Sequence, residues 1–495
     1  MRVNQMFLVG TVVLCLLSPT IHALSLETTV ALALENNLDI KLLQSRLDEE
    51  HANLQVIIGK TDFQLGGSVS QNRTNTSVST SGSYYVDGTA LSLFLAKTFD
   101  FGLTIKAETS YNRAYYTYPN IDYGPYHVGE GRVTLSLPLL KMGDNAPVKS
   151  AVSRQQGNIT IVASQLSDTM SQIVLSVAKG YWAYWGAVKK YENATYIVQR
   201  METLAADIKR LVDAGQRART DYDQIVAELA SSSLSVTQAA REVESKKNAL
   251  SLLVGVSLDG YGEPEDGIPS LKQDDLLSID VEEGVKKALA RRGDYLAVQQ
   301  TARLAAMQLS QAQNDARPDL DVQVSVGWNG GHKGADSLSS FGNAFSENVQ
   351  TPEFTAVVSY VSPIVNRSGK GSVSAAQAKV EQANLSVRQK TQRVAYEVKE
   401  QAQSVENAFD VMTQSQNMTH LYDVVVTAET KKLKGGYSTI ENLVSVQERL
   451  VNANNTYVDT VVRFLSDVFT YKYLIGDLVD GKNLYALQGE NDHGK

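Results

Sequence analysis

Between Leu166 and Val212, apolar or small residues recur at alternating steps of four and three. The series is Leu166, Met170, Ile173, Val177, Gly180, Tyr184, Ala187, Tyr191, Ala194, Val198, Met201, Ala205, Ile208 and Val212, and none of them is charged. A 3.5-residue period held this long predicts a helix whose apolar stripe faces a partner helix while the pair supercoils left-handedly. Alanines, a glycine and large rings alternate along the seam, which suits interlocking layers of different bulk better than a two-stranded zipper. No Pro occurs from Val148 to Asp259. At about 1.5 Å per residue, the run from Val148 to Val212 reaches roughly 97 Å, too long for an ordinary globular core. The seam stops at Ala214-Gly215. Ile225, Leu229, Ser232, Val236, Ala239, Val243, Leu250 and Leu253 then continue a similar register, with Lys246 out of pattern. Two helices joined by a short Gly-bearing turn form an antiparallel hairpin, expected over about residues 147–256.

Upstream, Leu24 to about Lys60 carries a helical period through Leu26, Val30, Ala33 and Leu34. The period then changes to two. Phe63, Leu65, Gly67 and Val69 alternate with Asp62, Gln64, Gly66 and Ser68, predicting a strand near 62–72 with one apolar face. The Ser-, Thr- and Asn-rich stretch to Gly88 reads as an exposed loop. Two further alternating runs within 91–113 flank Phe99-Asp100-Phe101-Gly102, a hairpin. Val133, Leu135 and Leu137 predict a strand at 131–138, ended by Pro138, with Gly143-Asp144-Asn145 turning into the long helix. Tyr111, Tyr115, Tyr116, Tyr118, Tyr123 and Tyr126 suit either a membrane–water interface or an exposed loop.

The pattern then repeats. A shift of 255 residues lays Glu27, Val30, Ala33, Leu34 and Asp39 on Glu282, Val285, Ala288, Leu289 and Asp294; a shift of 225 lays Pro138 and Val148 on Pro363 and Val373. Such self-similarity marks an internal duplication. The first copy is expected over residues 24–258 and the second over 278–476, separated by a Gly-, Pro- and Asp-rich linker at 259–277 and followed by a tail at 477–495. In the second copy Leu320, Val322, Val324, Val326 and Trp328 alternate with polar residues, giving a strand at 319–329. Another is expected at 353–363, beyond a polar loop from Gly330 to Gln350. A hairpin at 373–475 follows, with Leu443, Val446, Leu450, Ala453 and Tyr457 on its seam. Strands of this kind suit a soluble sandwich or an outer-membrane barrel equally. Two strands per half cannot close a barrel within one chain, so closure requires oligomerisation. The hairpin around Phe99 has no counterpart in the second half, and would either lengthen a barrel beyond the membrane or cap it.

Composition narrows the chemistry. The 495 residues include 10 prolines and a single cysteine, with a formal net charge of -8. Met1 to Ala23 reads as a secretory signal, with Arg2, an apolar run to Leu17 and a cleavage site at Ile21-His22-Ala23. Cys15 lies inside that run, preceded by Leu14, which makes a poor lipidation site; the mature chain would have no thiol. No later segment is apolar enough for a spanning helix, so a membrane form must be a β-barrel. The acidic balance argues against nucleic acid. The six histidines form no ligand pair, Ser368-Gly369-Lys370-Gly371-Ser372 lacks the first Gly and spacer of a phosphate loop, and no nucleophile elbow or dinucleotide fingerprint occurs. No metal, cofactor or enzymatic activity is expected.

The opening Leu24-Ser25-Leu26-Glu27 to Ala33-Leu34-Glu35-Asn36-Asn37, its echo from Val281 to Leu289, the turn Gly215-Gln216-Arg217-Ala218-Arg219-Thr220-Asp221, the turn Gly436-Tyr437-Ser438-Thr439-Ile440 and the closing Tyr471 to Gly476 occur in an order that resembles the TolC-type outer-membrane efflux channel family. The resemblance implies an α+β membrane protein: a trimeric outer-membrane β-barrel continued by a long periplasmic α-helical coiled-coil barrel, built from two helix-strand-strand-helix repeats. Each chain of the homotrimer would give four strands. The assembly would sit in the outer membrane of a Gram-negative bacterium, in contact with its lipid, and extend into the periplasm. It would act as a passive exit duct in tripartite efflux or type I secretion, served by a periplasmic membrane-fusion adaptor protein and an inner-membrane transporter. The tips Gly215, Gln216, Arg217, Gly436, Tyr437 and Ser438 would meet the adaptor, and Thr220, Asp221, Glu441, Asn442 and Ser445 would form the periplasmic gate. Ser438 stands where the family has an Arg link, and Asn442 and Ser445 replace acidic ring residues. The gate pairing expected instead joins Arg217 or Arg219 to Glu441 or Asp221 across neighbouring hairpins. A trimeric coiled-coil adhesin or periplasmic structural scaffold is the rival reading. The exported cargo is not written in the chain.

Overall fold

The computed structural model describes residues 23–78, 82–118, 121–141, 147–265, 280–335, 337–350, 352–480 and 483–484. Residues 1–22 of the candidate signal, the turn Gly143-Asp144-Asn145, linker residues 266–277 and the tail from 485 lie outside them. The chain forms two compact units, and each draws on both halves of the sequence: one on Met1–Leu42, Leu166–Arg292 and Arg393–Lys495, the other on Leu43–Gln165 and Gly293–Gln392.

The second unit holds one antiparallel sheet in simple order: β1 (Phe63–Val78), β2 (Gly82–Thr98), β3 (Thr104–Tyr118), β4 (Ile121–Pro138), β5 (Asp319–Lys333) and β6 (Glu353–Val361). This corrects the strand expectations. The Ser- and Thr-rich stretch before Gly88 is strand, not loop, because Gln71 to Val78 pair residue by residue with Thr89 back to Gly82. The hairpin around Phe99 belongs to the sheet itself, its turn closed by Phe99 N–H donating to the Leu103 carbonyl (2.8 Å) and by Gly102 at φ 103°. Tyr111, Tyr115 and Tyr126 lie in β3 and β4 rather than in a loop. Among the described residues this sheet therefore holds six strands where the resemblance implied four.

Register places Phe63, Leu65 and Val69 of β1, Leu91, Leu93 and Leu95 of β2, Val133 and Leu135 of β4, Val324, Val326 and Trp328 of β5, and Phe354 and Val358 of β6 on one face. The predicted polar loop after Gly330 also folds. Ser337 caps a short helix by accepting from Ser340 N–H (3.2 Å), and that helix lays Phe341 and Phe345 against Tyr111, with ring centroids 4.7 and 6.5 Å away. Gly129 is the strand position that admits it, since a Cβ there would come within 2.6 Å of the Phe345 ring.

In each half one pair of helices precedes the strands and one pair follows: α1 (Leu26–Asn36) and α2 (Leu38–Gly59), then α3 (Pro147–Asp213) and α4 (Arg219–Val254), in the first; α5 (Val281–Arg291) and α6 (Gly293–Asp315), then, after the short α7 (Leu338–Ser346) between β5 and β6, α8 (Arg367–Lys434) and α9 (Ile440–Leu474), in the second. The helical run predicted from Leu24 to Lys60 breaks at Asn37, which takes an extended conformation and accepts from Asp39 N–H (2.9 Å). The second hairpin begins at Arg367, earlier than the predicted 373, because Asn366 accepts from Gly369 N–H and caps that turn (3.1 Å).

The first unit is the helical one. Its main core gathers Val174, Val177, Tyr181, Trp182, Tyr184, Trp185 and Val188 of α3 with Leu250 and Val254 of α4 and Val461, Phe464, Leu465 and Val468 of α9. Linker residues 263–265 are fixed by this core. Leu24 N–H donates to the Glu263 carbonyl (3.0 Å) and Glu265 N–H to the Leu24 carbonyl (3.2 Å).

Candidate functional site at the helical turns

Both hairpins turn in the same way, and the reason is a glycine. Gly215 (φ 70°) and Gly436 (φ 79°) adopt the left-handed conformation just after α3 and α8. That lets Gln216 N–H reach back to the Leu211 carbonyl and Tyr437 N–H to the Lys432 carbonyl, both at 2.9 Å, closing each helix with the usual C-terminal glycine motif. Gly255 and Gly476 close α4 and α9 likewise, so the duplication read from side chains recurs in the backbone. The two tips differ at the next helix start. Thr439 caps α9 by accepting from Asn442 N–H (3.3 Å), whereas Ala218 gives α4 no side-chain cap.

Arg217 joins the tips. Its Nη2 donates to the Leu433 carbonyl near the end of α8 (3.1 Å), and its Nη1 lies 3.5 Å from Asp221 Oδ2. The guanidinium thus meets a carbonyl at a helix C-terminus, where positive charge is favoured. Arg217, just before α4, and Asp221 in its first turn lie within one tip, whereas the expected pairing ran across neighbouring hairpins. Glu441 and Arg219 make no ion pair among the described residues. Ser438 Oγ donates to Glu429 of α8, and Lys432 Nζ reaches the same carboxylate at 3.1 Å. Ser438 first and Lys432 second hold the Glu429 carboxyl below its ordinary range. Asp207 of α3 is flanked by Arg210 and, at 3.2 Å, by Lys434 of α8. Gln216, Thr220, Gly436, Tyr437, Glu441 and Asn442 are exposed, Tyr437 at 88%, and Ser445 is half-buried. Beneath the turns Met201, Leu204 and Ile208, Ile225, Val426 and Leu433, and Ile440, Leu443 and Leu450 form a four-helix core.

Neither Glu429 nor the Leu433 carbonyl was accessible to sequence reasoning. A backbone acceptor has no residue signature, and Glu429 lies well upstream of the turn it serves. Further along, a groove of about 720 Å³ between α3, α4 and α9 is lined by Lys190, Glu228, Glu242, Gln447, Glu448 and Asn455. Burial, then the neighbouring Glu448, raises the Glu228 carboxyl above its ordinary range. No group of acidic, His or Cys side chains suited to a metal occurs among the described residues.

No family model matches the chain, and no curated protein matches it. Solved structures do. CusC, known in connection with folding and transmembrane channel formation, aligns at 16% identity and a TM-score of 0.66, covering 91% of this chain and 92% of its own. The outer membrane protein VceC of Vibrio cholerae aligns at 16% identity and 0.65, covering 91% and 96%. The CmeC outer membrane channel of Campylobacter jejuni gives 13% and 0.65, covering 91% and 85%. At such identities the likeness is one of fold: over nine-tenths of its length, this chain is built as these outer-membrane channel proteins are.

Proposed function

We propose that this protein is the outer-membrane exit duct of a tripartite efflux or type I secretion system. Three copies share a barrel in the outer membrane of a Gram-negative bacterium, and their helices form the periplasmic tunnel through which substrates leave without chemical change. The observation that carries this reading is the sheet, one face of which presents large apolar side chains outward. Leu65 is 79% exposed, Val69 75% and Val358 67%, while Thr134 and Ser325 on the opposite, polar face are 7% and 6% exposed. A protein surrounded by water buries the apolar face; one surrounded by lipid presents it. No helix among the described residues is long and apolar enough to cross a membrane, which leaves the sheet to do so. A coiled-coil adhesin or scaffold has no use for such a face.

In this reading Gly215, Gln216, Arg217, Gly436, Tyr437 and Ser438 meet a membrane-fusion adaptor that links the duct to an inner-membrane transporter. Thr220, Asp221, Glu441, Asn442 and Ser445 face the gate. Fractionation followed by single-particle electron microscopy of detergent-extracted protein tests the proposal. The expected result is an outer-membrane protein that needs detergent and forms threefold tubes; a detergent-independent monomer in the periplasmic fraction would rule it out. Within a confirmed duct, Glu441→Lys is expected to change single-channel conductance or ion selectivity, and unchanged values of both would remove Glu441 from the gate.

A further inference from the structure

The hairpin of β2 and β3, which the second half of the sequence lacks, is integral to the sheet. β2 pairs with β1 from Phe63 opposite Lys97 to Val78 opposite Gly82, and β3 pairs with β4 from Thr104 opposite Ser136 to Tyr118 opposite Ile121. The two faces carry across it in register, with Lys97 and Thr109 as polar positions on the apolar side and a register shift only between Tyr115 and Thr117. Leu91, Leu93, Leu95 and Ala107 continue the apolar face, and Ser92, Phe94, Lys106, Glu108 and Ser110 continue the polar one. On that polar face Lys106 pairs with Glu108 and lies 5.1 Å from the Phe94 ring, while Ser110 Oγ donates to Glu130 of β4 (3.3 Å). Phe94 covers Gly66 of β1, where a Cβ would come within 2.5 Å of its ring. A hairpin capping the barrel mouth would share neither the register nor the two faces.

Among the described residues, the outer edges of β1 and β6 have no strand partner. Strand edges cannot stay unpaired in hydrocarbon, where no water satisfies their N–H and C=O groups. Because the strand count is even and every pairing antiparallel, β6 runs opposite to β1. When copies stand side by side around an axis, the edge of one meets the edge of the next in antiparallel sense.

We propose that β2 and β3 are wall strands, so that three chains joined β6 to β1 close a barrel of eighteen strands, six from each chain, in place of the twelve implied by a four-strand subunit. This rests on the threefold duct proposed above. With strands about 4.8 Å apart and tilted about 40°, eighteen strands give a backbone diameter of about 36 Å and twelve give about 24 Å. The added strands also line the lumen with Ser92, Phe94, Lys106, Glu108 and Ser110. The exit barrel is therefore wider, by about half, than a twelve-strand one.

Cryo-electron microscopy of the full protein in nanodiscs counts the strands directly. Eighteen strands at about 36 Å support the proposal. A threefold tube with a twelve-strand ring and the β2–β3 hairpin outside it overturns the proposal but leaves the duct reading intact, whereas the absence of any ring overturns both. Spin labels at Leu93→Cys and Ser92→Cys in reconstituted protein provide a second readout. Several-fold greater oxygen access at position 93 and several-fold greater access of a water-soluble nickel chelate at position 92 are expected. Equal chelate access at both positions places the hairpin in water and overturns the proposal.

Discussion

Tyr181 shows how a single side chain can fasten distant segments. Its hydroxyl donates to the Leu24 carbonyl (2.9 Å) and accepts from Glu265 N–H (3.2 Å), tying the start of the described chain and the linker to α3. Burial pushes the phenol up to about 12 from its ordinary 10.0, so it remains a donor at any physiological pH. Because the folded-state value is the raised one, the stability it contributes is complete below pH 10 and is lost as pH rises through about 12. Tyr181→Phe removes both hydroxyl bonds but leaves Glu265 N–H donating to the Leu24 carbonyl (3.2 Å), and is expected to cost about 0.5–1.5 kcal/mol in chemical unfolding; a change below a few tenths would mean that water replaces the hydroxyl. At the tip the sign is opposite. Ser438 and Lys432 lower the Glu429 carboxyl, so the tip gains stability above the ordinary carboxylate range and loses it as pH falls through the lowered folded value. Hydrogen exchange at Gly436 and Tyr437 should therefore speed up on acidification beyond the intrinsic pH effect, and Ser438→Ala should flatten most of that dependence.

Among the elements, α3 was the most legible from sequence. Val177, Tyr184, Ala187, Met201, Ala205 and Ile208 of its predicted seam are buried. What periodicity missed is a second stripe, Val174, Ala178, Tyr181, Trp185 and Val188, which packs among helices on another side. A seam-based reading assumes one partner, and this helix meets several. The turn glycines were equally readable, because the left-handed conformation leaves few other choices of residue. The strands were not. Gln71 to Thr76 has loop-like composition, and its pairing with Thr89 back to Tyr84 makes it strand, a long-range fact absent from the segment alone. The charged groove was also invisible, since Glu228 and Glu448 come from helices far apart in sequence. There the raised Glu228 carboxyl means that the folded state prefers it neutral, so folding gains stability as pH falls through that raised value. Glu228→Gln is accordingly expected to raise the unfolding midpoint at pH 7 and to lose that advantage at acidic pH. A midpoint lower than wild type at pH 7 would show instead that the carboxylate is needed in its charged form.

For the whole molecule, the decisive property is that one face of the sheet presents large apolar side chains outward. The rows on its two faces differ by one residue in register, and slipping that register would exchange them. Val326 sits on the apolar face, opposite Val133 of β4 and Phe354 of β6, and is 44% exposed; Ser325, its neighbour, faces the other way and is 6% exposed. If lipid covers the apolar face, Val326→Lys places a charge in hydrocarbon, at a cost of about 2–4 kcal/mol per chain near the midplane. A threefold assembly would bear that cost three times. The expected outcome is a steep loss of assembled protein from the outer-membrane fraction, whereas Ser110→Lys on the polar face, next to the carboxylate of Glu130, should assemble at close to the wild-type level. Should Val326→Lys assemble normally while remaining folded, the exposed apolar rows must be covered by protein and not by bilayer. The rows would then be an interface between chains, and the conduit would have to be sought elsewhere in the molecule.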